Sequence, residues 1–254
     1  MTMTAIRADA GQGWGWIVEG WGLFVKAPGV WIVMLLIYLA ISVVLSLVPF
    51  VGMIAQALLS PVLVGGMLYG AALQARGETL EIGHLFQGFR DQERMGPLVM
   101  LGLISVAGYV LITLVLVMFV GGGMMMGAMM DGASTGMPRE AMGGLFVGAG
   151  LVALLIVMTI GLAIAMALFY GVPLVMLAGQ NAWPAAQASV AACWINMLPL
   201  LVFGLVYMVL AVVAMIPLGL GFLVLLPVTI CAVYASYREV FEETPQPPGI
   251  RLAK

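Results

Sequence analysis

Six long apolar runs dominate the pattern of hydrophobic and polar positions along this chain of 254 residues. Each run supplies the roughly 20 apolar residues that a helix needs to cross a bilayer core, and none contains a Lys, Arg, Asp, Glu or His. The runs are continuously apolar rather than alternating, which indicates helices. The predicted spans are about Val30–Val48, Val51–Ala75, Pro97–Val120, Gly144–Leu177, Ile195–Ile216 and Leu218–Tyr237.

Prolines group the six runs into three pairs. A proline stands near the start of the first helix of each pair, where its missing N–H costs nothing; these are Pro28, Pro97 and Pro199. The second helix of each pair contains Pro61, Pro173 or Pro227. The predicted fold class is all-α: a polytopic transmembrane helical bundle of six spans, arranged as three helical hairpins with short interfacial helices. Whether the three hairpins arose by duplication stays open.

Composition agrees with a membrane protein and excludes several other classes. Hydrophobic residues make up 64% of the chain and charged residues only 8%, against about 25% charged in soluble domains. This balance excludes an ordinary soluble globule and a disordered chain. The net charge of −2 and the lack of a basic stripe also argue against nucleic acid as a partner. Membrane lipids are the expected surroundings, and a protein partner or a second copy of the chain is the other expected contact.

Basic residues predict how the chain is oriented. Of the nine Lys and Arg residues, all but Arg139 fall on one side of a six-span arrangement. By the positive-inside rule, both termini are predicted to be cytoplasmic. We expect one integral membrane domain over residues 1–254. Its parts outside the spans are an interfacial or cytoplasmic segment (1–29), a cytoplasmic amphipathic loop (76–96), an external Gly- and Met-rich loop (121–144) and a cytoplasmic tail (238–254).

Short amphipathic stretches precede the hairpins. In the loop after the second span, apolar residues recur at helical spacing behind Thr79, the predicted helix cap. Tryptophans before the first span suit the headgroup boundary. The candidates for an interfacial or partner-docking surface are Trp14, Trp21, Ile82, Leu85, Phe86 and Phe89. These stretches either dock a partner or act as elbows that set the tilt of the next span.

The spans carry few polar residues and no ionisable group at their centres, which argues against proton-coupled transport. The candidates are Gln56, Ser60 and Asn196. Gln56 and Ser60 are four residues apart and therefore share one helix face. They either form interhelical hydrogen bonds or line a polar crevice.

Methionines cluster in the predicted external loop, at Met124, Met125, Met126, Met129 and Met130. Thioethers are soft ligands that select Cu(I), so the cluster is a weak candidate for a copper site; otherwise it extends the apolar helix. The two cysteines, Cys193 and Cys231, lack metal-ligand spacing and are predicted to be inert buried thiols. The chain has no HExxH, Walker or Rossmann motif, and we predict no catalytic residue and no cofactor.

Three stretches carry a resemblance to known proteins: the proline-led hairpins, the opening WGWIVEGWGLFVKAPGVW and the central LFQGFRD. Together they resemble a family of uncharacterised bacterial inner-membrane proteins, some of which are labelled as cytochrome c oxidase subunits. QNAWPAAQASVAACWINMLPLL is distantly similar to membrane domains attached to some glycerophosphodiester phosphodiesterases. The first resemblance implies an accessory role at most, because the spans have no haem-ligand histidines.

Three functions follow as expectations. The leading one is a non-enzymatic multi-pass inner-membrane protein that docks a partner or organises lipid in the envelope. The second is a transporter or channel for a small apolar or amphipathic solute. The third is a copper-handling accessory factor of a respiratory oxidase.

Overall fold

A computed structural model of the protein describes residues 5–122 and 139–241. Helices account for its regular structure, and the described residues contain no strand. The helices are α1 (Gln12–Phe24), α2 (Pro28–Ser46), α3 (Val51–Ala75), a 3₁₀-helix (Ile82–Phe86), α4 (Gln87–Arg90), α5 (Gln92–Leu116), α6 (Arg139–Phe169), α7 (Gly171–Met176), α8 (Ala182–Ile195), α9 (Met197–Met215) and α10 (Phe222–Phe241). A π-helical turn, Val117–Gly121, continues α5.

Six of these helical segments are long and apolar enough to cross a membrane, which confirms the predicted all-α bundle of six spans. The segments are Pro28–Ser46, Val51–Ala75, Gln92–Phe119, Gly148–Met176, Met197–Met215 and Phe222–Phe241. The chain is therefore a multi-pass membrane protein. The fourth span is interrupted at Tyr170, three residues before Pro173, because that proline has no N–H to give to the preceding turn.

Several predicted boundaries were wrong by a few residues. Helix α6 begins at Arg139, within the stretch predicted to be a loop up to 144. The last helix begins at Phe222 and runs to Phe241, so Arg238 lies in the helix rather than in a tail. Apolar turn residues hide such boundaries, because hydropathy does not distinguish Leu218 in a turn from a leucine in a span.

The first and third hairpins close through turns of the same design. In each turn a proline is followed by a large apolar residue with a left-handed backbone, Phe50 with a φ of 61° and Leu218 with a φ of 55°. Both side chains are largely exposed, at 80% and 98%. A non-glycine residue in this region costs about 1–3 kcal/mol, so surrounding packing must hold both turns in this conformation.

The centre of the bundle is formed by α3 and α10. About half of each span is buried, whereas most of α2, α6 and α9 faces outward. Small residues allow α3 and α5 to approach each other closely. At Gly102 of α5, an added Cβ would lie only 2.7 Å from the carbonyl oxygen of Ala57 on α3. Helices in lipid pack through such small-residue contacts. The peripheral helices are left to face the hydrocarbon.

Each short helix packs on the second helix of a neighbouring hairpin. The 3₁₀-helix and α4 contact α3, α8 contacts α6 and α7, and α1 contacts α10. Two of these contacts match closely: a Cβ at Gly88 would lie 2.7 Å from the Val62 carbonyl oxygen, and one at Gly20 would lie 2.6 Å from the Val228 carbonyl oxygen. Val62 and Val228 each follow the helix proline. The three units thus close into a ring, with α1 completing the last hairpin.

The loop after α3 differs from its prediction. Its first helical element is a 3₁₀-helix, and the N-cap is Glu81 rather than Thr79. The backbone N–H of Glu81 donates to His84 Nδ1 at 3.1 Å, and the Glu81 side chain accepts from the backbone of His84. This reciprocal pairing is a capping box, and it gives His84 a structural role at the start of the 3₁₀-helix.

Candidate functional site

A crevice of about 650 Å³ opens between α2, α3 and α5 at the hairpin-turn end of the bundle. It combines an apolar wall with polar side chains from all three helices, and no charged residue among the described ones lines it. The polar lining residues are Tyr38, Ser42, Ser46, Gln56, Ser60, Ser105 and Tyr109. The volume lies within the usual range for small-molecule sites, about 300–1,000 Å³.

Tyr38 is the centre of the polar network in the crevice. Its hydroxyl accepts a hydrogen bond from Gln56 Nε2 at 3.3 Å and is 3.2 Å from the Ser60 hydroxyl. The predicted pair on α3 therefore meets a residue of α2 that the sequence analysis did not select. Only the fold reveals Tyr38, because nothing in the pattern of α2 distinguishes this tyrosine from a lipid-facing one.

The Gln56 amide has hydrogen-bonding capacity to spare. Its carbonyl oxygen and its second N–H have no partner among the described residues. An unpaired amide within a bilayer costs free energy unless water or a ligand pairs with it. Gln56 is half-buried on the wall of the crevice, so a molecule inside the crevice can reach it.

The crevice ends near Pro61. Beyond that residue α3 is packed on all sides, and Val62, Leu63 and Met67 are at most 2% exposed. Ser105 of α5 lines the crevice and is itself only 3% exposed. Buried residues therefore close the crevice beyond Pro61 in this conformation, and it does not meet the cavity at the opposite end of α3.

Asn196, the third predicted polar candidate, lies elsewhere and is fully paired. Its side-chain oxygen accepts from the Ala8 N–H at 2.7 Å, and its amide donates to the carbonyl oxygens of Ile6 at 3.0 Å and Ala192 at 3.1 Å. The side chain is completely buried. Asn196 therefore anchors the N-terminal segment to the junction of α8 and α9.

The predicted docking residues separate into two groups. Trp14 and Trp21 are about half exposed, at 55% and 51%. Leu85 is fully buried against α3 and offers no surface to a partner. Ile82 is 41% exposed, whereas Phe86 and Phe89 are half-buried and pack near each other, with ring centroids 6.5 Å apart. The 82–89 stripe mostly faces the bundle itself.

A second large cavity, of about 670 Å³, is an apolar groove between α9 and α10 with α1 at one end. Trp14 and Trp21 line it, together with Pro217 and Gly221 of the third hairpin's turn. It presents almost no polar atom, so it provides no group that orients a ligand.

Neither metal nor thiol chemistry gains support. The five candidate methionines, Met124, Met125, Met126, Met129 and Met130, lie outside the described residues. Within the described residues no group of three or more His, Cys, Asp or Glu could hold a metal ion. Both cysteines are buried as predicted. Burial raises the pKa of the Cys193 thiol to about 12, because it removes the thiolate from water.

Comparison with known proteins finds no relative: no family model, curated protein or solved structure matches the chain. The resemblance to uncharacterised inner-membrane proteins therefore receives no support from these searches. The class that the fold defines is an α-helical multi-pass membrane protein. The feature of this structure that indicates a function is the crevice between α2, α3 and α5.

Proposed function

We propose that this protein binds an uncharged amphipathic molecule from the membrane in the crevice between α2, α3 and α5, without catalysing a reaction. One observation carries the proposal: an intramembrane pocket of about 650 Å³ has a polar lining that consists of hydroxyl and amide groups only. Such groups recognise hydroxyl, ester or amide functions, whereas an ionic headgroup would need a countercharge inside the bilayer.

The amphipathic character of the ligand follows from the mixed lining of the crevice. Gln56 and Ser60 lie within hydrogen-bond distance of Tyr38, and Met53, Ala57 and Leu168 supply apolar surface. A molecule with one polar group and a hydrocarbon part satisfies both surfaces. This proposal joins the lipid-organising function predicted from the sequence with the alternative of an amphipathic solute.

Binding is better supported than conduction. A channel would need an open route to the opposite end of the bundle, and the packed half of α3 beyond Pro61 closes that route in this conformation. Transport would require α3 to move relative to α5 and α10. We therefore propose a binding or presenting role and treat transport as a further step.

The location proposed for this activity is a bacterial inner membrane, with both termini in the cytoplasm. Its support is the distribution of charge: among the described side chains, the ionisable residues of the loop after α3 and of both chain ends lie at the end opposite the hairpin turns. With the basic residues at the inner face, the crevice opens in the outer half of the bilayer.

A photoreactive diacylglycerol, with a diazirine in one acyl chain, tests the proposal. The full-length protein in phosphatidylcholine nanodiscs should cross-link to this probe within α2, α3 or α5. The double substitution Gln56→Leu with Ser60→Ala removes the polar contacts and should lower the cross-link yield about fivefold or more, since each of the two neutral hydrogen bonds contributes about 0.5–1.5 kcal/mol.

Thr159→Val provides the matched control. Thr159 is also a polar residue within a span, but it is exposed on α6 and donates to the carbonyl oxygen of its own helix at Leu155. Its substitution should leave the yield unchanged. An equal yield for the double variant, or cross-links spread over the lipid-facing surfaces of α6 and α9, would contradict the proposal.

A further inference from the structure

A small cleft lies at the charged end of the bundle, where α3 ends, α5 begins and α7 ends. Its volume is about 170 Å³. Ala72, Leu73, Met176 and Leu177 supply apolar surface, and Tyr69, Arg76, Asp91 and Arg94 supply the polar groups. It shares no lining residue with the crevice at the hairpin-turn end.

Arg94 is held in place in this cleft. Its Nη1 donates to the carbonyl oxygen of Val175 at 3.0 Å, and its Nε lies 3.6 Å from Asp91 Oδ2. Gly179, with a φ of 71°, leaves room for the guanidinium, which would clash with a Cβ there. One edge of a partly exposed guanidinium is thereby fixed at the surface.

Arg76 brings a second positive charge to the same cleft. It is the first residue after α3, and its exposed side chain makes no hydrogen bond or ion pair with any described residue. Two guanidinium groups therefore face one carboxylate, that of Asp91, which leaves the cleft with a net positive charge. Guanidinium forks match the geometry of phosphate oxygens.

The position of the cleft fits a lipid headgroup rather than a soluble ion. It lies where the span Val51–Ala75 and the span Gly148–Met176 end, the level at which headgroups meet a bundle. Basic pockets between spans on the cytoplasmic side bind anionic headgroups. We infer that Arg76 and Arg94 bind the phosphate of an anionic phospholipid. This inference does not depend on the function proposed for the crevice.

The test measures the thermal unfolding of the full-length protein in mild detergent as lipid is added. Phosphatidylglycerol should raise the unfolding temperature, because a ligand that binds only the folded state stabilises it. Phosphatidylcholine with the same acyl chains, and inorganic phosphate, are the comparison ligands. Arg76→Gln should raise the phosphatidylglycerol concentration needed for half of the shift by about tenfold or more, the effect expected for a charge-assisted hydrogen bond.

Arg90→Gln is the matched control, because Arg90 is an exposed arginine of the same loop that does not line the cleft. It should respond to phosphatidylglycerol as the unmodified protein does. The test substitutes Arg76 rather than Arg94, because removing Arg94 would also break its hydrogen bond to the end of α7. Arg76→Lys keeps the charge and should recover part of the affinity. Equal responses of the Arg76 and Arg90 variants, or an equal shift with phosphatidylcholine or inorganic phosphate, would overturn the inference.

Discussion

Single side chains near the ends of the spans join segments that are far apart in the sequence. Asn196 pairs with the backbone of Ile6 and Ala8, although nearly 190 residues separate them along the chain. Trp16 donates to Glu239 at 2.6 Å, and Glu19 forms an ion pair with Arg238. Together these contacts fasten the N-terminal segment to the junction of α8 and α9, and α1 to the last helix. They belong to the fold rather than to a ligand site.

Asn196→Ala should destabilise the protein and release its N-terminal segment. The substitution leaves the Ala8 N–H and the Ile6 carbonyl without their buried partner, which costs about 1–3 kcal/mol. The measurement is thermal unfolding in detergent, combined with limited proteolysis ahead of α1. Asn181→Ala is the control, because Asn181 is exposed and its side chain makes no cap hydrogen bond. Equal stability and proteolysis of the two variants would show that the anchor is not needed.

Cys193 should resist modification while the protein is folded. Its pKa is raised to about 12 by burial, so the reactive thiolate stays scarce between about pH 7 and pH 9. A maleimide should label neither Cys193 nor the buried Cys231 in this range, and should label both after denaturation in SDS. Labelling of the folded protein that increases between pH 7 and pH 9 would show that a cysteine is accessible and has an ordinary pKa.

At the scale of the element, glycine contacts determine where the short helices sit. Gly20 faces the backbone of Val228 and Ala232, whereas Gly22, two residues later on α1, has no atom within 4 Å of the position its Cβ would take. Two glycines of the same helix thus have different roles. The one that faces α10 permits close packing, and the other one is structurally free.

Gly20→Ala should therefore destabilise the protein by about 1–3 kcal/mol through overpacking. Gly22→Ala should be neutral or stabilising by up to about 1 kcal/mol, because alanine is the better helix former. Thermal unfolding of both variants in the same detergent compares them directly. A Gly22 variant that is as unstable as the Gly20 variant would contradict the described packing of α1 on α10.

The sequence predicts some of these features and not others, for physical reasons. Hydropathy identifies the six spans because about 20 apolar residues must cross the bilayer whatever their neighbours are. It does not reveal that Leu85 faces α3, since an amphipathic stripe looks the same whether it meets lipid or another helix. It selects Gln56 and Ser60 as polar residues within a span, but misses Tyr38. That Arg76 and Arg94 line the same cleft depends on long-range packing that no local pattern encodes.

At the scale of the whole molecule, the three hairpins and their short helices pack in a ring, and α3 and α10 are the helices nearest its centre. The polar crevice opens at the hairpin-turn end, and the arginine cleft lies at the charged end. The two proposed sites therefore take different parts of the bilayer: an uncharged amphiphile in one half and an anionic headgroup at the opposite surface. This separation requires the two chain ends and the loop after α3 to lie on one side of the membrane, and the hairpin turns on the other.

Membrane topology is therefore the most direct test. Single cysteines are introduced in a Cys193→Ala, Cys231→Ala background at Leu218, in the exposed hairpin turn, and at Glu78, in the loop after α3. A membrane-impermeant maleimide applied to intact bacterial cells should label Leu218→Cys directly, and Glu78→Cys only after the membrane is permeabilised. Labelling of both positions from the same side of the intact membrane would contradict the six-span arrangement on which both proposed sites depend.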